Sequence, residues 1–183
     1  MNKAPIYVWR AVWYVLRVAV VVGLVILIFV VAFNTAMNLG SIYIMATEGM
    51  ELRADVVLGT ASADELTNYF TGEWIESDPL VQSSPYADFK ISSYNYTARL
   101  TSMSAWAWSS TGTVTITERV GAISGSSTSG ETDASGNAVR PPAWEERTYE
   151  LTMQKDENGR WWIASVEVTE TGTETSPSPT PAA

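Results

Sequence analysis

Apolar residues run almost unbroken from Val18 to Met37, VAVVVGLVILIFVVAFNTAM. About 20 residues rising ~1.5 Å each cover the ~30 Å hydrocarbon core of a bilayer, so the pattern predicts a transmembrane helix over 18–37. Arg17 fixes where it starts. Counting from Ala11 would bury a guanidinium, whereas starting at Val18 lets Arg17 snorkel to the headgroups. Residues 1–17 mix Tyr7, Trp9, Trp13 and Tyr14 with Arg10 and Arg17. That is the composition of a membrane interface, and Trp9, Arg10, Trp13 and Arg17 are the candidate anchoring residues. A cleaved signal peptide is the competing reading, since Val30 and Ala32 meet a weak small-residue rule before Phe33. Against it, the run exceeds the ~7–15 residues of a signal core. A pilin-type leader is excluded because no acid precedes Glu48. Ala19 with Gly23 and Ala32 with Ala36 form two small-xxx-small pairs, candidate positions for helix packing. A segment so rich in Ala, Val and Gly also produces such pairs by chance.

Beyond the run the pattern changes twice. Residues 38–48, NLGSIYIMATE, read as a juxtamembrane linker with Tyr43 at the outer interface. Leu52, Val56 and Val57 then recur at helical spacing until Gly59 stops them. Ser62-Ala63-Asp64-Glu65 is a capping box, opening a helix that presents Leu66, Tyr69 and Phe70. Gly72 and Asp78-Pro79 close it, with Trp74 and Ile75 as core contacts. From Tyr86 the period becomes two. Phe89 and Ile91 alternate with polar residues, as do Tyr94, Tyr96, Ala98 and Leu100. The parity flips between Ile91 and Tyr94, which places a bulge near Ser92-Ser93. Trp106 and Trp108 extend that strand, and Thr113 to Val120 forms the next. Residues 121–142 are rich in Gly, Ser and Thr and read as a long mobile loop closed by Pro141-Pro142. Trp144 to Met153 is a third strand, Asp156-Glu157-Asn158-Gly159 a hairpin turn, and Arg160 to Val168 the return. In that last strand Trp161 and Ile163 share one parity and Ala164, Val166 and Val168 the other, so its inward face stays open. Residues 169–183, TETGTETSPSPTPAA, are low-complexity and expected to be disordered. The outcome is an α+β plan: one anchor, then a domain over 49–168 with helices packed on a curved antiparallel sheet of about four strands.

Composition narrows the function classes. Cysteine and histidine are both absent from the 183 residues. Disulfides, thiol nucleophiles, imidazole-based triads and Cys/His metal sites are therefore excluded. Lys3, Arg10 and Arg17 precede the run with no acid among them. The remaining 8 basic residues face all 20 acids, a net of −12 (11 − 3 = 8; 8 − 20 = −12). The basic flank predicts a cytoplasmic N terminus and an extracytoplasmic domain. The acidic domain is a poor partner for nucleic acid.

Little of catalytic type remains. Glu118 is in phase with Val114, Ile116 and Val120, so it can point inward, and a buried carboxylate near a tyrosine could act as an acid or base. The bland alternative is a Glu at the strand's end paired with Arg99 or Arg147. Asp156-x-Asn158 is a fragment of a calcium loop without its closing Glu, so no metal or cofactor is expected. Trp74, Trp106, Trp108, Trp144, Trp161 and Trp162 are either core or, where two are exposed together, a contact surface. Of these, Trp106, Trp108, Trp144, Trp161 and Trp162, with Glu118, are the candidate pocket or interface residues.

Helices followed by a long-stranded sheet ending in Asn158-Gly159-Arg160-Trp161-Trp162-Ile163 resemble the NTF2-like (cystatin-related) α+β cone. A short inner segment, one span and an outer domain of this kind also resemble the VirB8/TcpC-type subunits of conjugative secretion channels, although no motif diagnostic of those subunits is present. The resemblance implies a non-enzymatic structural or assembly subunit of an envelope complex, in the cell membrane of a Gram-positive bacterium. Its expected partners are the lipid bilayer and other proteins, in a homo-oligomer or hetero-complex. The alternative is an extracytoplasmic module that binds a small ligand or peptide in the cone.

Overall fold

The computed structural model describes residues 4–130 and 137–171, with side chains from Trp9 onward. Helix α1 runs without a break from Ala4 to Val57, 54 residues or about 80 Å. No proline interrupts it after Pro5. It ends where Gly59 takes φ +75. There the Gly59 amide donates to the Val56 carbonyl and the Thr60 amide to the Asp55 carbonyl, the paired bonds of a Schellman stop.

The helix has two surroundings. From Trp9 to Met37 its side chains are almost all exposed, and this stretch is long and apolar enough to cross a membrane. From Asn38 onward one face is covered: Ile42, Ala46, Met50 and Ala54, each four residues apart, are fully buried. Residues 38–48 are therefore not a linker. They continue α1 and contribute the first turns of the core, because Ile42 and Ala46 recur on the same face as Met50.

Three short helical segments follow. A 3-10 turn spans Ala63–Asn68, with Ser62 as its N-cap accepting from the Asp64 amide. The capping signal was sound in place, but the element closes after six residues. Gly72 opens rather than ends a helix, α2 (Gly72–Ser77). Asp78 caps the next, α3 (Pro79–Ser83), through its side chain.

Among the described residues, four strands form one antiparallel sheet in the order β1 (Phe89–Ala105), β2 (Thr111–Ser127), β3 (Arg147–Lys155) and β4 (Trp161–Thr171). Register shifts interrupt the β1–β2 ladder between Ile91 and Asn95 and again between Leu100 and Ser102. The first lies at the expected bulge. β1 stops at Ala105, and Trp106 and Trp108 sit in the β1–β2 turn instead of extending the strand. β2 is longer than expected: residues 121–127, read as the start of a loop, pair with β1 out to Phe89. Gly125 permits this, since a Cβ there would lie 2.7 Å from the Lys90 carbonyl oxygen. Residues 131–136 of that loop, the tail from 172 and Lys3 lie outside the described residues. β3 starts at Arg147 rather than Trp144, and β4 reaches Thr171. β4 also resolves its own ambiguity. Trp161 and Ile163 are buried, the ladder shifts between Thr152 and Met153, and Val166 then stands opposite the buried Leu151. Both parities face inward, on either side of a bulge.

The core forms where α1 and the short helices cover one face of the sheet. Ile42, Ala46, Met50, Leu66, Phe70 and Trp74 meet Val114, Ile116, Tyr149, Leu151, Met153, Trp161 and Ile163. A smaller cluster farther along α1 joins Ala54, Val57 and Leu58 to Tyr86 and Val120. α1 approaches β4 closely at Gly49, where a Cβ would lie 2.7 Å from Ile163 Cδ1 and 3.1 Å from Tyr69 Cβ. Gly49→Leu is expected to destabilise the domain by about 1–3 kcal/mol, despite the better helix propensity of leucine. Thermal unfolding of the detergent-solubilised chain measures this, and an unchanged midpoint contradicts the close packing.

Candidate functional site

A guanidinium on the buried face of α1 organises the interior. Arg53 follows Met50 by three residues and precedes Val57 by four, so it points where they point. It is 3% exposed. Its Nε donates to Asp78 Oδ2 at 2.6 Å and its Nη2 to Asp78 Oδ1 at 3.2 Å. Asp78 Oδ1 also accepts from the Leu80 amide at 3.0 Å, so one carboxylate caps α3 and clasps α1. The guanidinium carbon lies 5.3 Å from the Tyr149 ring and 5.7 Å from the Trp74 ring. Burial alone would lower the Arg53 pKa, but the hydrogen bonds and charge of Asp78 outweigh it and hold the group firmly cationic.

Glu118 completes the cluster. It is fully buried, as its phase with Val114 and Ile116 predicted. Neither expected arginine neutralises it directly. Arg99 is exposed on the other side of β1. Arg147 stands opposite Glu118 in the ladder, but its Nη2 donates to Glu145 at 2.7 Å. The nearest cation is Arg53, whose Nη1 lies 3.8 Å from Glu118 Oε2. Among the described residues, no protein group donates a hydrogen bond to either Glu118 oxygen. Burial pushes its carboxyl up to about 7, against the opposing pull of Arg53. Burial and the nearby Glu118 charge raise the Tyr96 and Tyr149 hydroxyls as well.

A cleft of about 290 Å3 opens beside this cluster, lined by Arg53, Trp74, Asp78, Arg147, Tyr149 and Val166 among others. Glu118 is not on its wall. The carboxylate with the perturbed proton affinity is thus separated from the space a small molecule would occupy, and both arginines at the cleft already have carboxylate partners. A second cleft of about 220 Å3 lies between Tyr86, Pro142 and Trp144.

The tryptophans divide by environment. Trp161 is core. Trp162 is half-buried, with its Nε1 donating to Asp156 Oδ2 and the Arg160 guanidinium 4.4 Å from its ring. Asp156 also accepts from the Asn158 and Arg160 amides, and the Arg160 bond holds its carboxyl below the usual range. Its role is to close the β3–β4 turn. Trp144 stacks on Tyr86 and pins the segment before β3. Trp106 and Trp108 are exposed together, 66% and 65%, with their rings 6.5 Å apart. Trp9, Arg10, Trp13 and Arg17 are exposed around the first turns of α1. Ala19 and Gly23 are exposed too, as are Ala32 and Ala36. The nine residues from Gly23 to Ala32 turn the helix by about 900°, which puts the two small-residue pairs on opposite faces. A single neighbouring helix therefore cannot use both.

Sequence reasoning missed Arg53, Asp78 and Asn38. Arg53 did carry a signal, as the one basic residue between Arg17 and Lys90, lying on an apolar helix face. Asn38 is 9% exposed; its Nδ2 donates to the Ala107 carbonyl at 3.0 Å and its Oδ1 accepts from Lys155 Nζ at 2.9 Å. No family model, curated protein or solved structure matches this chain.

The folded chain binds a proton at Glu118 more tightly than the unfolded chain, whose carboxyl titrates near 4.5. The stability tied to that proton is full below about pH 4.5 and is lost as pH rises to about 7. Glu118→Gln stays neutral throughout. Relative to the native chain it is expected to gain stability across this window, by at most about 3 kcal/mol. Denaturant unfolding at several pH values reads the difference, and a pH-independent offset refutes it.

Proposed function

We propose that this chain is a single-pass membrane protein, crossing at 18–37 with its N terminus in the cytoplasm. In this reading the outer domain is NTF2-like and serves as a non-catalytic structural or assembly subunit of a bacterial envelope complex, of the secretion or conjugation kind. One observation carries the reading: α1 passes from the apolar run into the domain core without a hinge. The domain is thereby held at a set height and rotation about the helix axis, which suits a part that must meet neighbours in register. Confinement to a membrane raises effective concentration, so modest contacts suffice for assembly. The isolation of Glu118 from the cleft supports a non-catalytic role.

Cross-linking in native membranes tests this. The native chain is expected to give a discrete oligomer or hetero-complex. Inserting two alanines between Met37 and Asn38 rotates the domain by about 200° and is expected to abolish that product; four alanines rotate it by about 400°, close to its starting direction, and restore it. Recovery of monomer alone, or indifference to the two-residue insertion, overturns the reading.

The second reading, a module for a small ligand or peptide, draws on the cleft beside Tyr149 and Trp74. Its volume is at the lower edge of the ~300–1,000 Å3 typical of ligand sites. Chain purified from native membranes should then carry a stoichiometric small molecule or peptide detectable by mass spectrometry after denaturation, and its absence removes this reading.

A further inference from the structure

The β1–β2 turn is built unlike the rest of the domain surface. Trp106 and Trp108 project into solvent on either side of Ala107, which is buried. Two exposed indoles so close together expose much apolar area for a small domain. Their flanks are also singular. Residues 100–117, LTSMSAWAWSSTGTVTIT, contain no charged side chain, although the chain beyond Arg17 carries a net of −12 (8 basic, 20 acidic).

The position of the turn is fixed by Asn38. Its amide donates to the Ala107 carbonyl at 3.0 Å and to the Trp106 carbonyl at 3.5 Å. The same side chain accepts from Lys155 at the end of β3, whose backbone amide donates to the Ser110 carbonyl. The turn is thus tied to α1 at residue 38, immediately beyond the apolar run that ends at Met37. β2 then runs away along α1, from Gly112 beside Ile42 to Val120 beside Ala54 and Val57. The β1–β2 turn, with the end of β3 beside it, is held at the height where the helix would leave the hydrocarbon.

We propose that Trp106 and Trp108 seat in the interfacial layer of the bilayer that α1 crosses, giving the domain a second membrane contact beside the helix. The proposal rests on the reading of 18–37 as a span. Indole rings favour this layer, where the apolar face meets acyl chain and the N–H meets water or headgroup. The uncharged flanks avoid repulsion from lipid phosphates, and the cation that clasps the turn, Lys155, is of the sign that phosphates attract. A protein partner covering these rings would have to share the headgroup layer with them, which favours lipid as the occupant. Two contacts, one through the span and one beside it, would restrain the domain from tipping about the point where α1 emerges.

The chain has no cysteine, so single labelling sites can be introduced cleanly. The full-length protein is placed in nanodiscs of phosphatidylcholine and phosphatidylglycerol containing lipids with a nitroxide near the headgroup or near the acyl terminus. An environment-sensitive fluorophore is attached at Ser110→Cys, which keeps both tryptophans, at Leu27→Cys in the span, or at Ser126→Cys at the far end of β2. The label at 110 is expected to be quenched roughly twofold or more by the shallow nitroxide, the one at 27 by the deep nitroxide, and the one at 126 by neither. Adding Trp106→Ser and Trp108→Ser should weaken the quenching at 110. Quenching at 27 without quenching at 110 overturns the proposal while leaving the span intact, whether the turn is then in water or covered by another chain. Absence of quenching at both sites overturns the span along with it.

Discussion

A guanidinium taken out of water must have its charge answered, and Arg53 is answered from three directions. Asp78 grips it with two hydrogen bonds, Glu118 lies 3.8 Å away, and the rings of Tyr149 and Trp74 face it. Each partner belongs to a different part of the fold. Asp78 begins α3, Trp74 lies in α2, Glu118 in β2 and Tyr149 in β3. Satisfying one cation therefore fixes where the short helices sit over the sheet and how α1 is rotated between them. Removing one member of a buried pair typically costs ~3–5 kcal/mol, far more than the intact pair adds to stability. The cluster thus acts less as a source of stability than as a condition the packing must meet. Apolar surfaces alone would tolerate a shifted α1; this arrangement does not.

Glu118 is the unsettled member. Its carboxyl is close enough to Arg53 to feel the charge, yet it receives no hydrogen bond among the described residues, and burial raises its pKa to about 7. Near neutrality the interior can hold one positive and either one or two negative charges with a small change in conditions. β2 supplies the inward phase that puts Glu118 there, and the same phase continues to Val120 in the second cluster.

Much of the sheet could be read from residue order because its signals are local. Alternation in Thr113–Val120, the turn around Gly159 and the bulge near Ser93 all depend on neighbours a few positions apart. Glu118's inward direction was legible for the same reason. What was not legible depended on partners far along the chain. Asp78 is 25 residues from Arg53, and no spacing rule connects them. The core role of Ile42 and Ala46 was hidden for another reason. An apolar run long enough to cross a bilayer and an apolar stripe packed in a protein core look alike where they join. Only Asn38, a buried amide with three protein hydrogen bonds, marks the change. Residues 121–127 were misread because Gly and Ser signal a loop when isolated. Beside β1 they form a strand, since its backbone supplies the pairing and Gly125 leaves it room.

The unbroken α1 also makes the domain a lever. From Asn38 to Val57 the helix extends about 30 Å beyond the apolar run. Spans in bilayers commonly tilt by ~20°, and by more where the hydrocarbon is thin. In a bilayer such a tilt would sweep the far end of α1 sideways by roughly 10 Å, carrying the sheet packed against it because the helix continues unbroken into the core. Membrane thickness would then set the direction in which the domain presents its surfaces, and a local change in lipid could be felt as a change in aim.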